Sequence, residues 1–123
     1  MIIKSLRLTN FRNIANFAGE MHDGFNVIQG NNGQGKTNFL EAIHWLGHLR
    51  PLRTTRVREL VRWHEKSTIV EGLIDQDGID HRLKVTAENG TRKAFLEDKK
   101  TTTLQYSGRL SVVLFTPADL DLI

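Results

Sequence analysis

An eight-residue segment, GNNGQGKT at positions 30–37, constrains the fold of this 123-residue chain more than any other feature. It satisfies the pattern G-x-x-x-x-G-K-[ST], whose residues here are Gly30, Asn31, Asn32, Gly33, Gln34, Gly35, Lys36 and Thr37. Glycines reach backbone conformations that are closed to other residues, so consecutive amides can turn inward around a phosphate group. The pattern therefore predicts a phosphate-binding loop.

The residues on either side of this segment predict a strand before it and a helix after it. Asp23-Gly24 is a turn pair, and Phe25 to Gln29 forms a short apolar run that leads into Gly30. Beyond the loop, apolar residues recur at spacings near 3.6, which predicts an amphipathic helix from Lys36 to about Leu49. Strand, loop and helix thus follow one another in the order that a phosphate-binding loop requires.

The side chains that end the loop indicate a nucleotide and a metal ion as cofactors. Lys36 places a positive charge against the outer phosphates and is the predicted catalytic residue, and Asn38 can support the α-phosphate. The hydroxyl of Thr37 is the predicted ligand of Mg²⁺. Because the chain contains no N-K-x-D segment, which reads guanine, ATP is preferred over GTP. A small-molecule kinase or phosphotransferase and a nucleotide-sensing interaction module share this loop and stay open as alternatives.

Outside the loop, the pattern predicts antiparallel strands. Apolar and polar residues alternate in residues 2–10, with Leu6 and Leu8 on one face, and again around Leu83, Val85 and Ala87. A further strand is predicted at residues 69–74. Asn89-Gly90 favours a tight turn, so Lys93 to Glu97 should return antiparallel to the preceding strand. These strands form the predicted antiparallel subdomain.

The composition and the two termini limit the class of protein. Without cysteine there are no disulfides and no thiolate sites, which fits a cytoplasmic setting, and no apolar run indicates a membrane partner. Residues 112–115 predict a strand, and Thr116-Pro117 has the character of a helix start. A helix this short is marginal, so we expect the natural protein to continue.

Three segments of the chain resemble the bacterial RecF family of recombinational repair proteins: LRLTNFRN, GNNGQGKTNFLEAI and VVLFTPADLDLI. The first two are also similar to the wider group of SMC proteins. The resemblance implies an α/β fold of the P-loop NTPase type. Residues 1–123 would form the N-terminal, ATP-binding lobe of an ABC-type ATPase head, truncated, with an antiparallel β subdomain.

The same resemblance implies roles that the residues by themselves do not establish. Arg12 would approach the bound phosphates, although the chemistry of the residue by itself also permits a solvated loop arginine. The full-length protein would be a DNA-dependent ATPase that forms an ATP-dependent homodimer at DNA gaps and helps RecO and RecR to load RecA. Its Walker B acid and signature segment would lie further along the chain, so we expect these 123 residues to be inactive by themselves.

Several weaker signals have two interpretations each. Arg50, Arg53 and Arg56 belong to the densest basic stretch and are either DNA contacts or solvated surface groups. His44 and His48 stand four residues apart, where a polar helix face is preferred over a metal site. Trp45 and Trp63 are interpreted as packing residues. The apolar runs ending at Glu71 and Asp75, and the Tyr106-Ser107-Gly108 segment, are rejected as hydrolytic motifs.

Overall fold

The computed structural model of the chain describes residues 2–20, 33–51, 56–76, 78–102 and 106, and for residues 2, 33–37 and 76 it describes the backbone only. The predicted strand at 25–29, the strand at 112–115 and the helix start at Thr116 lie outside the described residues, as do Gly30, Asn31, Asn32 and Arg53.

The described residues build one antiparallel sheet, crossed on one face by a helix. The strands are β1 (Ile2–Phe11), β2 (Ile14–Glu20), β3 (Ser67–Gln76), β4 (Ile79–Glu88), β5 (Thr91–Leu96) and β6 (Lys99–Thr101). Their order across the sheet is β2-β1-β3-β4-β5-β6. Strand β1 pairs with β2 on one side and with β3 on the other, and the helix α1 (Gly33–His48) lies between β2 and β3 in the chain.

The apolar core lies between α1 and one face of the sheet. Leu6 and Leu8 of β1 face α1, as predicted from their alternation, and Leu83, Val85 and Ala87 of β4 do the same. From the helix, Trp45 and Leu46 are fully buried in this core. The predicted amphipathic helix is therefore confirmed, although it begins at Gly33, three residues before the predicted start at Lys36.

The last turn of α1 is held by groups from outside the helix. The final carbonyl groups of a helix have no partner within it. Here the Tyr106 hydroxyl donates to the carbonyl oxygen of Leu46, and the Arg92 guanidinium from β5 donates to that of Leu49. Tyr106 is almost completely buried, and burial raises the pKa of its hydroxyl above the usual value. These two bonds fix the end of α1 to the rest of the domain.

The segment between α1 and β3 contains a short 3₁₀ helix, Val57–Leu60. Leu60 is buried, but Trp63 is 82% exposed. The prediction that Trp63 packs in the core was therefore wrong, whereas that for Trp45 is confirmed. Trp63 lies in a turn beside His64, whose φ is 70°, and this turn directs the indole away from the core.

The predicted hairpin at Asn89-Gly90 joins β4 to β5. Asn89 has a φ of 54° and Gly90 a φ of 76°, the left-handed conformations that a two-residue hairpin turn needs at both positions. The β1–β2 hairpin has no such sequence signature, since its turn residues are Arg12 and Asn13. Strands β2 and β6 were not predicted, because these two sheet edges carry few buried apolar residues.

Candidate nucleotide-binding site

The phosphate-loop segment meets the start of α1. Its last five residues, Gly33, Gln34, Gly35, Lys36 and Thr37, form the beginning of the helix backbone. The first turn of α1 carries no acidic residue, so no carboxylate of its own neutralises the positive end of the helix dipole. This end of the helix therefore favours an anion, as the loop pattern predicts.

The turn between β1 and β2 lies against this helix with an unusual backbone conformation. Arg12 has a φ of 51°, a left-handed conformation that is uncommon for residues other than glycine. Two backbone hydrogen bonds hold it: the Arg12 amide donates to Leu60 at 2.7 Å, and the Arg62 amide donates to Asn10 at 2.8 Å. The segment before β3 thus fixes the turn from the side opposite β2.

The Arg12 side chain forms an ion pair with Glu41 of α1. Its Nε donates to Oε1 of Glu41 at 2.5 Å, and its Nη2 donates to Oε2 at 3.2 Å. The Glu41 side chain is 0% exposed and that of Arg12 is 21% exposed. A buried carboxylate requires a charged or hydrogen-bonding partner, and the arginine supplies both. Arg12 is therefore more than the solvated loop arginine that the sequence also permitted.

A second link connects the same turn to the same helix face. The Asn38 side chain, which is 1% exposed in total, donates through Nδ2 to Oδ1 of Asn13 at 2.6 Å. Because Asn38 and Glu41 are three residues apart, they project from one side of α1. The structure thus brings together two predicted site residues, Arg12 and Asn38, and adds Asn13 and Glu41, which were not predicted.

Sequence reasoning missed Glu41 although a signal was present. Glu41, Trp45 and Leu49 recur every four residues, and the two apolar members are buried. An acid on the buried face of an amphipathic helix must find a cation elsewhere in the chain. That cation is Arg12, 29 residues away.

A groove opens beside Arg12. It is lined by Arg12, Asn13, Arg62, Trp63 and His64, among others. The Trp63 and His64 rings meet edge to face, with centroids 5.4 Å apart. Arg62 forms an exposed pair with Glu65 at 3.9 Å, which contributes little to stability. The groove thus combines cationic groups and the carboxylates of Glu59 and Glu65 with an exposed aromatic ring.

The two histidines of α1 occupy a helix face, as the preferred interpretation holds. Their rings stack with centroids 4.6 Å apart. Burial lowers the pKa of His44, the charge of His48 lowers it further, and Glu41 opposes both effects. Within the described ranges, no three residues of the histidine, cysteine, aspartate and glutamate types come together as a metal site.

The rejected hydrolytic motifs occupy structural positions. Glu71 and Asp75 both lie on β3, which is antiparallel to its neighbours, and Asp75 accepts a hydrogen bond from the Gly78 amide in the turn to β4. Tyr106 is a buried partner of α1. Of the predicted DNA contacts, Arg50 and Arg56 are exposed near the end of α1 and the 3₁₀ helix, and neither lines the groove around Arg12.

A family model described as RecF/RecN/SMC N terminal domain matches residues 2–118. The chain belongs to this family. Curated relatives that it matches are the DNA replication and repair protein RecF of Myxococcus xanthus, 40% identical, and that of Pediococcus pentosaceus, 37% identical. Each comparison covers 100% of this chain and 33% of the relative, so the chain spans about a third of the length of these relatives.

Solved structures agree with this assignment. A structure of the recombination mediator protein RecF with ATP, from the RecFOR pathway, superimposes with a TM-score of 0.87 at 31% identity, over 98% of this chain and 34% of the other. The SMC head domain from Thermotoga maritima gives a TM-score of 0.74 at 19% identity, over 90% of this chain and 43% of the other, and this likeness concerns the fold only. The described residues thus have the fold of the N-terminal lobe of an ATPase head. Among them there is no helix with the length and apolar character needed to cross a membrane.

Proposed function

We propose that this chain binds ATP, with the phosphates held by residues 30–37 at the start of α1. The observation that carries the proposal is the linkage of the β1–β2 turn to α1 just beyond the loop, through Arg12–Glu41 and Asn13–Asn38. A helix start without acidic residues and a fixed arginine beside it together favour a polyphosphate. The relatives and the ATP-bound structure named above support the same choice of ligand.

The residues of the loop have divided roles in this proposal. The amides of Gly30, Asn31, Asn32, Gly33, Gln34 and Gly35 surround the phosphates, and Lys36 adds a charge against the outer ones. Asn38 supports the α-phosphate end, and Arg12 approaches the phosphates from the β1–β2 turn. The Thr37 hydroxyl holds Mg²⁺, which suits the preference of this ion for oxygen ligands.

For the longer protein we propose the role that its relatives' names suggest. Two ATP-bound heads would associate, and hydrolysis would release them, coupling the state of the nucleotide to DNA binding. The protein would act in the cytoplasm at gapped DNA, where single and double strands meet, with RecO and RecR as partners in loading RecA. Residues beyond position 123 would supply the acid that activates water, so we assign ATP hydrolysis to the whole protein.

Calorimetric titration with ATP, with and without Mg²⁺, tests the nucleotide proposal. Wild-type protein should bind ATP, and Lys36→Ala should weaken binding at least about tenfold because a charge-assisted phosphate contact is lost. Lys66→Ala removes an exposed lysine of equal charge and is the matched control; it should leave the affinity unchanged. Absence of ATP binding by the wild type in both conditions would exclude a nucleotide site formed by these 123 residues alone.

The proposed DNA contacts have a separate test. If Arg50, Arg53 and Arg56 neutralise DNA phosphates, replacing Arg53 and Arg56 with alanine should reduce the slope of log affinity against log salt by about two units for duplex DNA. Arg82→Ala, an exposed arginine on β4 that pairs with Asp98, is the control and should keep the slope. An unchanged slope in the double variant removes both residues from the interface.

A further inference from the structure

The geometry of the Arg12–Glu41 pair leaves one edge of the guanidinium for another acceptor. A guanidinium carries five N–H donors in a fixed plane. Glu41 engages the edge formed by Nε and Nη2. The neighbouring end-on edge, formed by Nη1 and the second N–H of Nη2, carries two parallel N–H groups, the arrangement that binds two phosphate oxygens at once.

From this geometry we infer that Glu41 is the positioning residue of the phosphate site: it holds Arg12 so that the end-on edge of the guanidinium binds a phosphate of the nucleotide. The inference rests on the proposed function. Glu41 itself is fully buried, so in this inference it acts through Arg12 and not by contact with the nucleotide.

Burial and backbone conformation explain why this arrangement prepares the site in advance. An arginine side chain loses much conformational freedom when it is ordered on a ligand. Here the Arg12 amide donates to Leu60, the Arg62 amide donates to Asn10 two residues earlier, and the Arg12 guanidinium is held by Glu41. The ordering is therefore complete before the ligand arrives, and the nucleotide does not have to induce it.

Arg12 compensates the buried charge of Glu41, but the stability of the fold does not by itself require an ion pair at these two positions. A buried pair loses the hydration of both charges, and replacing such a pair with apolar residues is often neutral or stabilising. A lysine would satisfy the charge of Glu41 but could not bind two acceptors along separate edges. The use of arginine, in a left-handed backbone conformation, fits a group that must face two partners in defined directions.

A double-mutant cycle on ATP affinity tests the inference. Arg12→Ala should weaken ATP binding about 10- to 100-fold because a charge-assisted bond to the phosphates is lost. Glu41→Gln, which keeps the shape of the side chain, should weaken binding about threefold to tenfold when Arg12 is present, since the guanidinium is held less firmly. In the Arg12→Ala background Glu41→Gln should have no further effect. Asp80→Asn, which removes the carboxylate of the exposed Lys4–Asp80 pair, is the control and should leave affinity unchanged.

Each outcome has a defined meaning. Equal weakening by Glu41→Gln with and without Arg12 would show a structural role of Glu41 and would overturn the inference. If Lys36→Ala abolishes ATP binding but Glu41→Gln leaves it unchanged, the inference is overturned and the proposed function stands. Wild-type protein that binds no ATP would overturn both.

A measurement on the wild type covers the case in which Glu41→Gln does not fold. In nuclear magnetic resonance, the Nε–H of Arg12 should be protected from exchange with water both before and after ATP addition, because Glu41 keeps it bonded. The Nη groups should become restricted in rotation only with ATP. Loss of Nε–H protection when ATP binds would mean that Arg12 leaves Glu41 to reach the phosphate, and would refute the positioning role.

Discussion

Replacement of Gly72 by alanine should weaken the packing of α1 on the sheet. Gly72 lies on β3, on the face that α1 covers, and a Cβ at this position would stand 2.7 Å from Cδ2 of Leu46. Contacts between carbon atoms are normally about 3.5–4.0 Å. Leu46 is fully buried, and its carbonyl oxygen is held by Tyr106, so its side chain has little room to move.

The magnitude follows from two opposed effects. Overpacking a core by a methyl group costs about 1–3 kcal/mol of unfolding free energy. Replacing glycine by alanine also restricts the unfolded chain, which stabilises the folded protein by about 0.4–1 kcal/mol. The midpoints of these two ranges differ by about 1.3 kcal/mol, and we expect Gly72→Ala to lower the unfolding free energy by about this amount.

Urea unfolding, followed by the fluorescence of the buried Trp45, measures this loss. Leu46→Ala by itself should cost about 2–5 kcal/mol because it leaves a cavity. The double variant should cost less than the sum, because the new methyl group at position 72 enters the space that Leu46 vacates. Additive losses, or a Gly72→Ala protein as stable as the wild type, would refute the close contact between Gly72 and Leu46.

Three further predictions concern titration and exposure. Because burial raises the pKa of Tyr106, the folded state keeps its proton at a pH where the unfolded state releases it, so stability should be complete below about pH 10 and fall above it. Tyr106→Phe should remove this loss of stability at alkaline pH. If the unfolding free energy of wild type and variant depends on alkaline pH in the same way, the prediction is wrong. The pKa of His44 is lowered in the folded state, so its contribution to the unfolding free energy is present above about pH 6.5 and is lost as the pH falls through the folded-state pKa. The unfolding free energy should therefore fall less steeply with decreasing pH in His44→Gln than in the wild type. An unchanged slope would contradict this prediction. Trp63→Phe should change the unfolding free energy by no more than about 0.5 kcal/mol, as substitutions at exposed positions usually do, whereas Trp45→Phe should lower it measurably. Equal losses of unfolding free energy in the two variants, measured by urea unfolding, would mean that Trp63 packs in the core.

Sequence patterns predicted those elements whose signal is local. The alternation around Leu6 and Leu8 and around Val85 reflects strands with one buried face, and the Asn89-Gly90 turn reflects a backbone requirement of two residues. Strand β2 has no such signal, because it lies at the sheet edge and pairs with β1 through backbone groups that any sequence carries.

The candidate site was predictable only in part, for a related reason. The loop pattern names its own residues, and the helix after it follows from the spacing of its apolar residues. The partner of Glu41 depends on how β1 lies against α1, which no local pattern encodes. Trp63 was interpreted as a packing residue because it is isolated and not interleaved with basic strands, but its side chain is exposed in a turn beside His64, and the local sequence does not encode which way that turn faces.

The pairing of β1 with β3 has a consequence for the time course of folding. Ile2 pairs with Asp75, so β1 and β3 meet only after the loop segment and α1 have been synthesised. Contacts between residues so distant in sequence must close a long stretch of chain first, which slows folding. During synthesis on the ribosome, the β1–β2 hairpin is therefore without its central neighbour until the chain has grown past β3, and for that interval one long edge of β1 is open to chaperones or to other nascent chains.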